Sequence, residues 1–129
     1  MDSSGLIALY RSDDDFHERA VNALQKLKEN DFVTTNFILD ETYTFLRKFV
    51  GKEKAVNFSR FLQSNAITIK IKRIGLLDEK KAFSLFEKYD FSNLSFTDCT
   101  SFAVMESLNL KEVFTFDHHF SQAGFHPLP

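Results

Sequence analysis

Apolar residues recur along the chain at two spacings, and the switches between them predict the elements. Ser4 to Tyr10 is a short apolar run that predicts a helix. From Asp14 to Glu29 the apolar positions Phe16, Ala20, Leu24 and Leu27 share one helical face, with Asp13 or Asp14 placed to cap it. Asp31 to Thr35 is a short β-type run. Asn36 to Val50 returns to helical spacing, with Leu39, Tyr43, Leu46 and Val50 in one stripe that Gly51 breaks. Lys52 to Asn65 predicts a further helix that buries Ala55, Phe58, Phe61 and Leu62. Ile67 to Ile71 alternates Ile with Thr and Lys, the period of a half-exposed strand, and outward Lys70 and Lys72 would protect a sheet edge. Leu77 to Tyr89 predicts a helix with Ala82, Leu85 and Phe86 inward. Thr97 to Leu108 predicts another, with Phe102, Ala103 and Met105 inward. Val113 to Phe116 reads as a strand, Asp117 opens a turn, and Phe125 to Leu128 is a last short strand.

Strands that alternate with helices predict an α/β sandwich around a mostly parallel sheet. In such folds sites form at the carboxyl ends of the strands, where this pattern puts Asp117. The length of 129 residues suits one domain, 1–129, with no linker, repeat or low-complexity segment, and both prolines lie at the C-terminal end.

Composition sharpens this picture in four ways. Apolar residues make up 43%, so the chain should fold. There are 16 phenylalanines, more large rings than a small core easily hides, which points to a dimer or a peptide-binding groove; the plainer alternative is a Phe-rich core. The net charge of −2 argues against a protein that grips nucleic acid by phosphate neutralisation alone. It leaves a nucleic-acid substrate open, because clustered acids lower net charge and a bound cation reverses the local sign. Cys99 is the only cysteine, so an internal disulfide is impossible and a reducing compartment fits. With no apolar run long enough for a bilayer and no targeting or lipidation signal, a cytoplasmic protein with no membrane partner is the default expectation.

Four widely spaced carboxylates carry the chemistry: Asp2, Glu41, Asp98 and Asp117. Acids spread in this way can converge into an oxygen-only cage for a hard divalent cation. Glu41 is bracketed on its helix by Phe37 and Phe45 at four residues either side, with Ile38 three residues before. A carboxylate among apolar side chains loses hydration unless something positive meets it, though a glutamate on the rim can also reach water. Asp40 points about 100° away, toward Asn36, Thr44 and Arg47, and reads as a surface acid. Ser95-Phe96-Thr97-Asp98 is a capping-box pattern, so Asp98 is either a cap or a firmly held ligand. Asp117 and Asp2 likewise read as helix caps or as ligands, and Asp2 equally as part of a frayed terminus. Ser3 and Thr97 are hydroxyls beside key acids that could orient a carboxylate. His118 and His119 are adjacent, cannot share one helical face, and read as structural or surface residues, because an acid-rich site prefers Mg²⁺ or Mn²⁺. Cys99 reads as a buried small residue. Arg47, Lys48, Lys52 and Lys54 could touch backbone phosphates or form a solvated face.

With these residues the chain resembles the PIN-domain family, and within it the small VapC-type toxins of toxin–antitoxin pairs. Asp2-Ser3-Ser4-Gly5-Leu6-Ile7-Ala8-Leu9 is similar to the family's opening acid and first helix. Leu39-Asp40-Glu41-Thr42 resembles its helical Glu motif, and Leu94-Ser95-Phe96-Thr97-Asp98 its third acidic motif. Phe114-Thr115-Phe116-Asp117-His118-His119-Phe120, then Gly124-Phe125, resembles its closing strand, fourth acid and final strand. The resemblance spans essentially the whole chain. It implies a three-layer α/β/α sandwich around four or five parallel strands and a Mg²⁺- or Mn²⁺-dependent endoribonuclease. It also implies a homodimer and a cognate antitoxin that covers the site. By position Asp2, Glu41, Asp98 and Asp117 would be the acidic quartet. One departure follows: family members open with a short apolar strand that delivers the first acid, whereas here Met1 precedes Asp2 directly. The expectation is therefore a sheet without its first, central strand, from a chain that natively begins upstream or has been shortened, and reduced activity in this form.

Three other readings compete with the ribonuclease. The missing strand, the negative charge and the surplus of Phe would suit a catalytically impaired protein-interaction module. A nuclease for structured DNA lacks obvious insertions to hold a duplex. A phosphatase that forms an aspartyl-phosphate would need a second Asp two residues after Asp2, where Ser4 stands.

Overall fold

The computed structural model describes residues 1–27, 31–64 and 67–129. The last residues of the helix expected to end at Glu29, and the end of the helix expected to reach Asn65, lie outside the described residues. The elements run α1 (Ser3–Tyr10), α2 (His17–Lys26), β1 (Phe32–Thr35), α3 (Asn36–Phe45), α4 (Lys52–Gln63), β2 (Ile69–Lys72), α5 (Leu76–Lys88), α6 (Phe96–Ser107), β3 (Glu112–Val113), α7 (His118–Gln122) and β4 (His126–Pro127). The mixed α/β order matches the expectation from the periodicity.

The described strands form two parallel ladders rather than one sheet. β1 pairs with β2 in the register Phe32–Ile69 to Thr35–Lys72, and β3 pairs with β4 through Glu112–His126 and Val113–Pro127. Between them lie Met1 and Asp2: the Met1 nitrogen donates to the Val33 carbonyl at 2.6 Å, and the Asp2 N–H donates to the Phe114 carbonyl at 3.1 Å. Phe114 to Phe116, expected as strand, is extended but unpaired as a ladder because its neighbour on that side is only this two-residue link. β2 is the outer strand of its ladder, as its lysines suggested. Lys70 pairs with Asp31 and Lys72 with Asp78 at 2.8 Å.

Local chemistry sets the element ends. α2 starts later than its apolar face suggests, because Asp14 Oδ1 accepts the Phe16 N–H at 3.0 Å and Arg11 pairs with Asp13 at 3.0 Å, holding a turn there. Thr35 caps α3 by accepting the Ile38 N–H at 3.1 Å. The helix widens into a π turn at Leu46–Val50 and stops at Gly51, whose φ of 121° favours glycine. Gly5 is required for packing: a Cβ there would lie 2.6 Å from the Phe114 carbonyl oxygen, so only glycine lets α1 approach that segment.

The core forms three apolar groups. Phe102, Phe120, Cys99 and Ala103 pack between α5, α6 and α7. Leu6, Ile38, Leu46 and Phe58 pack between α1, α3 and α4. Leu9, Ala20, Phe32 and Phe114 pack beneath α2. Phe58, Phe102, Phe114 and Phe120 are fully buried. Phe86, expected inward, is 44% exposed and meets Phe96 edge to face, while Ala82 and Leu85 are the buried members of α5. With Phe83, Leu76 and Leu77 it leaves an apolar surface on α5, and Phe49, whose ring lies 5.1 Å from that of Phe45, is 73% exposed. The surplus of Phe therefore divides between core and surface.

Candidate functional site

Four elements bring the four acids toward one end of the two ladders. Asp2 precedes α1 and is almost fully buried. Its Oδ2 accepts the Ser4 N–H at 3.3 Å, Ser4 Oγ at 2.8 Å and Thr115 Oγ1 at 3.0 Å. Ser4 Oγ also accepts the Phe116 N–H at 2.9 Å, and Thr115 Oγ1 accepts the Asp117 N–H at 3.0 Å. Two hydroxyls thus bind the start of α1 to the segment that delivers Asp117, across more than a hundred residues of sequence. Ser4 and Thr115 were missed in the sequence, because nothing local marks a contact of that range.

Glu41 projects from the middle of α3 and is half-buried. Ser3 Oγ donates to its Oε2 at 2.5 Å and lies 3.5 Å from Asp2 Oδ1, so this hydroxyl spans the first two acids as its position suggested. Burial pushes the Glu41 carboxyl above the ordinary range. The Ser3 bond opposes that shift, and the charges of Asp2, Asp98 and Asp117 add to it. Asp40 is exposed, as its direction on the helix required.

Asp98 sits in a complete capping box at the start of α6. Its Oδ2 accepts the Ser95 N–H at 2.9 Å and Ser95 Oγ at 2.8 Å, while its own N–H donates to Ser95 Oγ at 3.0 Å. Burial raises its carboxyl too. The two Ser95 bonds oppose this, and the neighbouring Asp2 and Asp117 charges add to it. Capping and convergence are therefore one geometry. Thr97 contributes its carbonyl to Thr100 Oγ1 at 2.7 Å, a helix contact.

Asp117 caps α7 through the His119 N–H at 2.9 Å. The His119 ring, read from the sequence as structural or surface, is buried and lies beside Asp98 and Asp117. Its Nε2 donates to the Ser92 carbonyl at 2.8 Å. Its Nδ1 lies 2.9 Å from Asp117 Oδ1 and 4.0 Å from Asp98 Oδ2, but is out of line for a hydrogen bond. Burial pulls the imidazole pKa down, but the Ser92 carbonyl and the two carboxylates outweigh it, so the net shift is upward. Asp117, His118 and His119 offer donor atoms within 4.8 Å of one another. Cys99 is buried, with its thiol pushed up to about 11 by desolvation and then by Asp98, and is inert as a nucleophile.

Like charges gathered under partial burial repel, and three of the four sit where backbone N–H groups meet them. Oxygen donors from four elements, with an orphaned buried imidazole nitrogen at their edge, fit a hard divalent cation. The PIN-domain family model matches residues 1–126. The chain belongs to the PIN-domain family. Its relatives include the 23S rRNA-specific endonuclease VapC20 of Mycobacterium tuberculosis, in strains CDC 1551 and H37Rv. Each is 32% identical over 125 residues, covering 97% of this chain and 93% of that protein. The crystal structure of Mycobacterium tuberculosis VapC20, described as a sarcin–ricin loop cleaving toxin, superposes with a TM-score of 0.85 at 31% identity. It covers 96% of this chain and 93% of that one. Within the PIN family the chain therefore groups with the VapC-type toxins, and its mixed α/β architecture matches theirs.

Proposed function

We propose that this chain, as one domain over 1–129, is a divalent-cation-dependent endoribonuclease and the toxin of a toxin–antitoxin pair. The observation that carries this reading is the convergence of Asp2, Glu41, Asp98 and Asp117, with Glu41 and Asp98 raised by burial and by the charges of the other acids. These four residues would hold Mg²⁺ or Mn²⁺. Such an ion polarises a phosphodiester and makes a water molecule acidic enough to attack phosphorus. Ser3 and Ser4 fix the carboxylates of Glu41 and Asp2, Ser95 fixes Asp98, and Thr115 sets the distance between Asp2 and Asp117.

The substrate is RNA on this reading, and 23S rRNA is the first to try because the VapC20 relatives are named for it. Arg47, Lys48, Lys52 and Lys54 are exposed, and none forms an ion pair among the described residues. They flank the exposed Phe49 in sequence, so phosphate contact and base stacking would both be available to these residues. The apolar α5 surface would serve a second copy or the antitoxin, and the protein would work in the cytoplasm as a homodimer. No described helix is long and apolar enough to cross a membrane.

The interaction-module reading is disfavoured by the whole-chain family match and by the gathered acids, which a binding module does not need. Calorimetric titration with Mn²⁺ separates the two. The nuclease reading expects one saturable event that Glu41→Gln abolishes. No heat in a folded chain, or equal heat in the variant, would overturn it.

A further inference from the structure

The four acids leave one buried group unexplained, the imidazole of His119. The residue is 5% exposed, and its Nδ1 is the buried side-chain polar atom without a hydrogen-bond partner among the described residues. The other ring nitrogen is committed. Nε2 lies 2.8 Å from the Ser92 carbonyl, and a carbonyl can only accept, so in the neutral ring the proton sits on Nε2. Nδ1 then carries a lone pair. The neighbouring rings of His118 and Phe91, at 4.3 and 6.4 Å, help to hold this orientation. Beside Nδ1 lie only acceptors of the site: Asp117 Oδ1 at 2.9 Å and Asp98 Oδ2 at 4.0 Å. Lone pairs at such distances repel, so the arrangement asks for something positive. A proton on Nδ1 meets the need poorly, because it would point out of line with Asp117 Oδ1. A metal ion meets it well. Adjacent ligands of an octahedral ion, each about 2.1 Å from it, lie about 3.0 Å apart, which is the spacing of Nδ1 and Asp117 Oδ1. Ser95 takes up Asp98 Oδ2 with two hydrogen bonds, whereas Oδ1 of that carboxylate accepts none among the described residues.

We infer that His119 Nδ1 is a nitrogen ligand of the divalent ion, beside Asp117, and that it makes the site select Mn²⁺ over Mg²⁺. The inference rests on the reading that the acids hold such an ion, and it corrects the oxygen-only cage that reading began with. Mg²⁺ keeps to oxygen donors and gives up its water reluctantly, whereas imidazole nitrogen suits transition-metal ions. Histidines that bind metals characteristically give their other N–H to a carbonyl or carboxylate, which fixes the tautomer and turns the free nitrogen to the ion. His119 has that bond already, to Ser92. Asp117, His118 and His119 also hold donor atoms within 4.8 Å of one another, so His118 is the rival nitrogen. Its side chain is 71% exposed and its Nδ1 lies 3.6 Å from Asp117 Oδ1, a looser placement than that of His119.

The test adds Mn²⁺ or Mg²⁺ to the purified, metal-free full chain. Calorimetry reads affinity, and electron spin-echo modulation detects nitrogen bonded directly to Mn²⁺. Neither readout depends on RNA cleavage. The native chain and His118→Gln should both show the nitrogen coupling. His119→Gln, which can still reach Ser92, should bind Mn²⁺ without the coupling and about tenfold or more weaker, with its Mg²⁺ affinity changed much less. If circular dichroism shows that His119→Gln does not fold, the spectra of the native chain and His118→Gln decide. Mn²⁺ bound to the native chain without nitrogen coupling would overturn the inference and leave the acidic site standing. Coupling that disappears in His118→Gln, or Mn²⁺ and Mg²⁺ affinities that fall equally in a folded His119→Gln, would overturn it as well. A folded native chain that binds no Mn²⁺ would remove the acidic site and the inference together.

Discussion

Thr115→Val removes one oxygen atom at the joint between Asp2 and Asp117 and leaves the side chain's shape unchanged. The native hydroxyl donates to Asp2 Oδ2 at 3.0 Å and accepts the Asp117 N–H at 3.0 Å, at a position 1% exposed. A hydrogen bond to a charged group contributes about 1.5–3 kcal/mol, and an orphaned buried donor costs about 1–3 kcal/mol. Two features pull the sum toward its lower half: Ser4 Oγ still donates to Asp2, and Asp117 is 29% exposed, so water can reach its neighbourhood. The expected loss is about 2.5–4 kcal/mol, measured by urea unfolding followed by circular dichroism. For a chain of 129 residues each kcal/mol is worth about 3–4 °C, so Tm should fall by about 8–16 °C. Thr115→Ser keeps the hydroxyl and loses one buried methyl, a cost of about 1 kcal/mol. RNA cleavage should drop in the Val variant and persist in the Ser variant. A Val variant no less stable than the Ser variant would refute the reasoning, because the hydroxyl would then hold nothing.

Three further outcomes follow from the same geometry. Glu41 and Asp98 titrate above the ordinary carboxyl range, so the folded chain binds more protons than the unfolded chain just above that range. The metal-free protein should therefore gain stability as pH falls through the range just above the ordinary carboxyl values, below the Met1 amine at about 6, which opposes the gain near its own pKa, and below the raised His119. A Tm that instead falls across it in metal-free buffer would contradict the convergence. Saturating Mn²⁺ should raise Tm at pH 7, by about 2.7 kcal/mol of stability at a hundred times Kd, and should do nothing for Glu41→Gln. His119→Ala should cost about 1–3 kcal/mol through the orphaned Ser92 carbonyl and weaken Mn²⁺ binding, while His119→Gln, which can still reach Ser92, should recover the stability part; equal losses in both would argue against the Ser92 tether.

Glu41 was legible because its own helix declared it: Phe37 and Phe45 either side make a carboxylate there anomalous. Asp98 and Asp117 were legible as caps, and the structure shows that the cap is how each is held beside the others. Most helices were legible from spacing to within a few residues, because apolar faces and capping residues act locally. What remained hidden was long-range. Ser4 meets Thr115 at 3.1 Å across the whole chain, and no window of sequence contains both. His119 belongs to the site only because Phe91 stacks near its ring and Ser92 takes its Nε2, a neighbourhood built by a separate loop. Phe86 was misplaced because periodicity marks a face and not which of its members the partner helix can cover. The strand ends of Phe114 to Phe116 were overcounted for a related reason, since pairing needs a neighbour and residue preference cannot supply one.

Cleavage of a mixed RNA pool by the purified chain tests the central claim most directly, run with Mg²⁺ or Mn²⁺, with chelator, and beside Asp98→Asn. The asparagine oxygen can still accept from Ser95, so the helix cap and the fold should survive. The acidic-quartet account predicts metal-dependent cutting that chelator stops and that Asp98→Asn loses. Undiminished cutting by a folded Asp98→Asn protein, or cutting that ignores chelator, would contradict it.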